Sequence, residues 1–184
     1  MSPVEYAREV LQIPYLWPAQ VRIAEALVRP PYRVIVKSGH KLGKTFAAAW
    51  LVNWWYDNHD PGGIITVAPR HEHLVNILWK DIRLQRLRAK LSQDFIGPRA
   101  PEMRSGPGHY AIGITATKGE AISGRHEKHM LFVFDESTGI DSIYFTTAKT
   151  MFKNDGSCGW LVLCNPVSTA TQTYLEDQSG EWTV

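Results

Sequence analysis

Two pairs of residues, Lys44-Thr45 and Asp135-Glu136, are placed where they could act on a phosphate anhydride. The first pair closes the stretch Lys37-Ser38-Gly39-His40-Lys41-Leu42-Gly43-Lys44-Thr45, set between an apolar run, Val34 to Val36, and a long helical pattern. A strand that turns through a glycine-containing loop into a helix presents backbone N–H groups and the positive helix end to phosphate oxygens. The lysine then reaches the outer phosphates, and the hydroxyl ligates Mg²⁺. The spacing departs from the usual one. A glycine is common at position 38, where this chain has Ser38, with Gly39 one place later and His40 and Lys41 inside the loop. The expected nucleotide contacts are Ser38, Gly39, His40, Lys41, Leu42, Gly43, Lys44 and Thr45.

The second pair ends the run Leu131-Phe132-Val133-Phe134-Asp135-Glu136. Four apolar residues of a buried strand deliver two adjacent carboxylates to its C-terminal edge, where ligands bind in open α/β sheets. Asp135 is expected to hold Mg²⁺ directly or through water, with Thr45 as the other metal residue, and Glu136 to orient or deprotonate the attacking water. The pairing implies hydrolysis rather than binding alone. Two further segments join this set. Pro14-Tyr15-Leu16-Trp17-Pro18-Ala19-Gln20 offers aromatics that could stack on adenine and an amide that could pair with its edge, which points to ATP. The plain alternative is that Tyr15 and Trp17 close the core and Gln20 is a solvated helix residue. In Leu163-Cys164-Asn165-Pro166 a strand ends in an amide and a proline that forces the chain out of the sheet, so Asn165 is placed to sense the γ-phosphate. Arg125, in Ser123-Gly124-Arg125-His126 ahead of the acidic strand, is the expected arginine for transition-state charge; its alternative is a surface arginine in a charged turn.

These residues need a sheet to hold them. Five continuous apolar runs read as strands, Arg33 to Lys37, Ile64 to Ala68, Tyr110 to Ala116, Met130 to Phe134 and Trp160 to Cys164, as expected for parallel strands buried on both faces. Helical patterns separate them at Trp17 to Val28, Lys44 to Asn58, Arg70 to Leu91 and Asp141 to Lys153, with turns at Pro30-Pro31, Pro61-Gly62-Gly63 and Asn154-Asp155-Gly156. The expected fold class is α/β: a three-layer P-loop NTPase of the RecA-like kind, its mainly parallel sheet flanked by helices. The long interval between Lys44 and Asp135 fits the ATPase class with an additional strand between the two. The segment 96–109, rich in Gly and Pro, reads as a mobile surface loop.

At 184 residues, with 44% hydrophobic and 21% charged, the chain suits one domain spanning 1–184, with an adenine-binding segment at 1–30, a P-loop core at 31–168 and an exit segment at 169–184. A net charge of +2 does not mark a nucleic-acid binder. Two cysteines are too few for a disulfide scaffold, the start lacks a signal pattern, and no apolar run spans a bilayer, so a reducing cytosolic setting without membrane insertion is expected. Trp50 and Trp54 are expected to pack against the sheet. His71 and His73 fit no structural zinc spacing, so no metal beyond Mg²⁺ is expected.

The order Trp17-Pro18-Ala19-Gln20, the loop ending at Thr45, Thr66-Val67-Ala68-Pro69-Arg70, Phe132 to Ser137 around Asp135-Glu136, and Cys164-Asn165-Pro166 resembles the ATPase half of a tailed-phage terminase large subunit. The resemblance covers nearly the whole chain. It implies a motor domain that hydrolyses ATP with Mg²⁺ to drive double-stranded DNA into a procapsid, in the cytoplasm of the infected bacterial host. The implied partners are the portal protein, the small terminase subunit and other copies in a ring on the portal, the isolated chain being monomeric. By it Lys44 and Thr45 grip phosphate and metal, Asp135 and Glu136 do metal and water work, and 164–166 form the coupling motif. The family commonly has arginine where this chain has His40, so Lys41 or a protonated His40 is the expected loop sensor. Such proteins continue into an RNase H-like nuclease, and nothing before Val184 fits one, so DNA cleavage is not expected of this chain.

For DNA contact the expected elements are the helix with Lys80, Arg83, Arg86, Arg88 and Lys90, whose Arg83, Arg86 and Lys90 share a face opposite Leu84, Leu87 and Leu91, and the loop with Arg99 and Arg104. Two other classes compete. A helicase-like translocase of superfamily two shares the glutamine and the Asp-Glu pair but needs a second RecA-like domain. A nucleotide-gated, non-hydrolysing adaptor would not need Glu136.

Overall fold

A strand without a polar face gains most when both its sides are covered, and the five apolar runs accordingly become the parallel strands of one sheet. The computed structural model describes residues 1–39, 41–116, 122 and 124–184. Among these, the strands are β1 (Arg33–Lys37), β2 (Gly62–Ala68), β3 (Glu102–Gly106), β4 (His109–Thr115), β5 (His129–Phe134) and β6 (Cys158–Cys164), in the order β1-β6-β5-β2-β4-β3. Neighbours are parallel from β1 across to β4, and β3 runs antiparallel to β4. β6 thus lies between the strand that enters the phosphate loop and the acidic strand, while β2, β3 and β4 fill the long interval between Lys44 and Asp135.

The helices are α1 (Pro3–Glu5), α2 (Pro18–Leu27), α3 (Lys44–Asn58), α4 (His71–His73), α5 (Trp79–Arg88), α6 (Ser142–Met151) and α7 (Gln172–Gln178). A π-helical turn, Leu74–Leu78, joins α4 to α5 with helical backbone throughout. The period-2 alternation of the strands sorts the core into two layers. Val34, Ile64, Leu131, Val133, Leu161 and Leu163 meet Ala24, Trp50, Trp54, Leu74 and Trp79 on one face. Ile35, Ile65, Val67, Phe132, Phe134 and Trp160 meet Tyr144, Phe145 and Met151 of α6 on the other. The result is a three-layer α/β sandwich, and each fully buried Ile, Leu or Phe in it contributes about 2 kcal/mol. Residues 169–184 turn back onto this body. Lys149 of α6 reaches Glu176 of α7 at 2.8 Å, Trp182 packs on Trp160 with ring centroids 4.9 Å apart, and Thr183 pairs alongside Val34 at the β1 edge.

Two expectations are corrected by the packing. The segment 96–109 contains β3, where a mobile loop was expected. Met103 is its single fully buried residue, so the strand carries no apolar periodicity; it exists through its ladder with β4 across the turn at Gly106–His109. The expected DNA-facing stripe of α5 is also broken at Arg86 and Leu87. Arg86 is 1% exposed, whereas Leu87 is 63% exposed. Arg83 donates to the carbonyls of Gly97 and Ala100 and lies 3.9 Å from the Phe95 ring centroid, so it binds the following loop.

Buried aromatic packing also sets a pH response. His59, just beyond α3, stacks on Trp55 at 4.0 Å, and burial pushes its imidazole from the ordinary value of 6.5 to about 4. The folded state then binds fewer protons than the unfolded chain between those values. Stability is fully present above pH 6.5 and is lost as pH falls towards 4. Because the ring is partly solvated, the loss is about 1 kcal/mol. Thermal melts of His59→Gln are expected to show a Tm that declines about 3 °C less than wild type between pH 6.5 and 4. Parallel declines would exclude His59 as the source.

Candidate nucleotide site

The sheet order brings the ends of β1, β6, β5 and β2 to one edge, and the predicted chemistry meets there. A cleft of about 610 Å³ is lined by Lys41, Leu42, Gly43, Lys44, Thr45, Arg70, His73, Asp135, Glu136, Cys164 and Asn165, among others. Gly43 caps α3 with φ of 75°, a backbone conformation that favours glycine, and a β-carbon there would sit 2.8 Å from the Gln20 amide nitrogen. The first turn of α3 holds no acidic residue and no side-chain cap, leaving the positive end of a fifteen-residue helix open to an anion.

Lys44 folds over the loop. Its Nζ donates to the carbonyl oxygens of Ser38 (2.9 Å) and Gly39 (2.7 Å) and to Asn165 Oδ1 (2.8 Å). Asn165, expected from the sequence to sense the γ-phosphate, touches the loop lysine directly. Burial holds the Lys44 ammonium below its ordinary value, opposed by the charge of Asp135. The Thr45 hydroxyl donates to Asp135 Oδ2 at 3.1 Å, and the Glu136 N–H donates to Asp135 Oδ1 at 2.9 Å. Glu136 itself has φ of 49°, a left-handed conformation that costs a non-glycine residue about 1 kcal/mol and that concentrates at functional positions. The hydroxyl and carboxylate oxygens of Thr45 and Asp135 form a hard-oxygen pair of the type that suits Mg²⁺.

Two residues at this site were not expected from the sequence. His73 Nε2 lies 2.9 Å from Asp135 Oδ2, and its Nδ1 lies 3.3 Å from Glu136 Oε1. The hydrogen bond to Asp135 raises its imidazole above the ordinary value, against burial. Arg70, quoted only as part of a motif, reaches Glu136 Oε2 at 3.3 Å with a side chain 74% exposed. No periodicity marks either one. They arrive because β2 pairs with β5, so that the chain leaving β2 starts its helix beside the acidic strand's end.

Other expected contacts fall elsewhere. Gln20 is buried, its Oε1 accepting from Trp17 N–H at 3.1 Å and its Nε2 donating to the Gly43 carbonyl at 3.1 Å, so its amide ties α2 to the phosphate loop. Tyr15 and Trp17 are 64% and 63% exposed and meet edge to face at 6.0 Å, outside the core. A second cleft of about 390 Å³ adjoins the loop, lined by Ala19, Gln20, Ile23, Ala26, Leu42 and Thr183 among others, and neither aromatic lines it. Arg125 lies 5.7 Å from the Tyr110 ring centroid, at the N-terminal end of β4. Five strand residues, about 17 Å, separate that level from the edge bearing Glu136. The structure therefore does not bring Arg125 to its own chain's cleft. His40 and Ser123 lie outside the described residues.

No protein-family model matches the chain, and no curated protein matches its sequence. Solved structures do match in fold. The large terminase from a thermophilic bacteriophage aligns over 90% of this chain and 44% of its own, at TM-score 0.71 and 15% identity. The Thermus phage P74-26 large terminase ATPase domain aligns over 95% of this chain and 74% of its own, at TM-score 0.70 and 13% identity. S. cerevisiae Dbp5 bound to RNA and ADP BeF3 aligns over 100% of this chain and 49% of its own, at TM-score 0.65 and 14% identity. The first of these terminases has also been solved with ADP and with ATP-gamma-S. The chain spans less than half of that terminase, and at these identities the likeness is one of fold.

Proposed function

We propose that this chain is a Mg²⁺-dependent ATPase and the motor domain of a phage DNA-packaging terminase. The observation that carries the reading is the convergence of Lys44, Thr45, Asp135, Glu136 and Asn165 on one 610 Å³ cleft. The ATP phosphates lie over the open end of α3, where their oxygens take over the Lys44 contacts now made by loop carbonyls. Lys41 faces the same cleft and is the loop cation nearest in sequence to the position where the terminase family carries arginine. Thr45 and Asp135 hold Mg²⁺, which neutralises charge on the outer phosphates. Glu136 orients water and accepts its proton. The adjoining cleft beside Ile23 and Leu42 receives the base.

The fold is shared with both the terminase ATPase domains and Dbp5, and it is the sequence order from Trp17 to Pro166 that supports the packaging role over a helicase-like one. Duplex DNA, the portal protein, the small terminase subunit and a ring of copies are the partners of that role. With Arg83 and Arg86 engaged internally and Arg104 paired with Glu102, the exposed cations left for phosphate contact on these elements are Lys80, Arg88, Lys90 and Arg99.

Steady-state hydrolysis with and without duplex DNA tests the proposal. Wild type is expected to turn over ATP, with a DNA effect that weakens as salt rises. Lys44→Ala is expected to lose about 100-fold in turnover, because the phosphates lose the lysine that stands at the helix end itself. Wild type without turnover at high protein concentration would overturn the enzyme reading.

A further inference from the structure

One side chain at the cleft touches both acidic residues. His73 sits in the first turn of the helix after β2, its side chain 11% exposed, while Leu74 and Leu78 of the following turn do the packing against the core. Its two ring nitrogens face different carboxylates, Nε2 at 2.9 Å from Asp135 Oδ2 and Nδ1 at 3.3 Å from Glu136 Oε1. No rotatable bond lies between the two nitrogens of an imidazole. The ring therefore sets a fixed spacing between the groups it bridges. Thr45 of α3 reaches the same Asp135 Oδ2 at 3.1 Å, and Arg70, the N-cap of α4, holds the other oxygen of Glu136 at 3.3 Å, so Asp135 is gripped from two helices and Glu136 twice from the start of α4.

We propose that His73 is a positioning residue for hydrolysis, a rigid bridge that holds the metal-binding carboxylate of Asp135 and the water-activating carboxylate of Glu136 in one arrangement. The inference rests on the ATPase reading of the same cleft. A second contact layer of this kind acts through the groups it orients, and its removal typically lowers activity 10–100-fold. The effect belongs on turnover rather than on nucleotide capture, since the hydrogen bonds of Lys44 run to the phosphate loop and Asn165 and not to His73.

The test compares wild type with His73→Ala, His73→Asn and His73→Gln in the full chain. His73→Ala is expected to lower kcat by about 10–100-fold with KM for ATP changed less than about threefold. His73→Asn, too short to reach both carboxylates, is expected to behave alike, and His73→Gln to recover part of the loss. Should His73→Ala fail to fold, the contrast between the two amides decides the matter. Melting in EDTA gives a readout independent of turnover: the variant carrying both His73→Ala and Asp135→Asn is expected to lose about 3 °C less than the summed single losses. An unchanged kcat, a raised KM at unchanged kcat, or additive melting losses would each overturn the proposal. Wild type that fails to turn over while the melts remain coupled would remove the ATPase reading and leave His73 a structural bridge, which also overturns it.

Discussion

Glu136→Gln is expected to lower ATP turnover by about 1,000-fold while nucleotide affinity stays within a few-fold of wild type. Glutamine keeps the size and planarity of the side chain, so the neighbouring Asp135 and the left-handed backbone at this position persist. It removes the basic oxygen that accepts the proton of the attacking water. Binding is spared because the groups assigned to the phosphates, Lys44 and the loop before it, belong to α3 and the β1 exit. Turnover and nucleotide binding measured on the same preparations check this. A Glu136→Gln variant with wild-type turnover would remove Glu136 as the base, whereas the non-hydrolysing adaptor requires that wild type itself show no turnover.

Arg86→Ala is expected to cost about 3 kcal/mol of stability, a fall in Tm of roughly 10 °C. The guanidinium is 1% exposed and fully engaged. It meets Asp57 Oδ1 at 2.9 Å, donates through Nε to the Ser92 carbonyl at 2.9 Å and through Nη2 to Ser92 Oγ at 3.0 Å. Tyr6, from the N-terminal segment, donates its hydroxyl to the other oxygen of Asp57, and burial beside that carboxylate pushes the phenol well above its ordinary value. Truncation leaves Asp57 Oδ1 and the Ser92 carbonyl without the guanidinium, with only the Tyr6 hydroxyl still on Asp57, and opens a void between α3, α5 and the N-terminal helical turn. The partial exposure of Asp57, 23% of its side chain, keeps the cost near the lower end for a broken buried pair. A thermal melt decides it, and an unchanged Tm would restore Arg86 to the surface.

Arg86 also shows where sequence reasoning stopped. Arg83, Arg86 and Lys90 do follow helical spacing, but spacing gives a face and not the direction in which that face points. The direction came from Asp57 and Ser92, distant residues that neutralise and hydrogen-bond the cation, so that Leu87 rather than Arg86 is left to solvent. Gln20 is a similar case. Its place before the first strand was legible, whereas the engagement of its amide by Trp17 and Gly43 depends on how α2 packs on the loop.

The local order of residues was enough to establish the five parallel strands, the phosphate-loop helix from Lys44 to Asn58 and the delivery of Asp135, Glu136 and Asn165 to strand ends, because apolar runs and glycine-lysine turns act over short stretches of chain. Tertiary structure alone decided the edge strand β3, the inward turn of Arg83 and Arg86, the placement of Arg125 at the far end of the sheet and the meeting of His73 and Arg70 with the acidic pair. Each of these depends on contacts outside its own element: the pairing of β2 with β5 sets the start of α4 beside Asp135 and Glu136, Asp57 and Ser92 hold Arg86, and such contacts leave no mark on local periodicity.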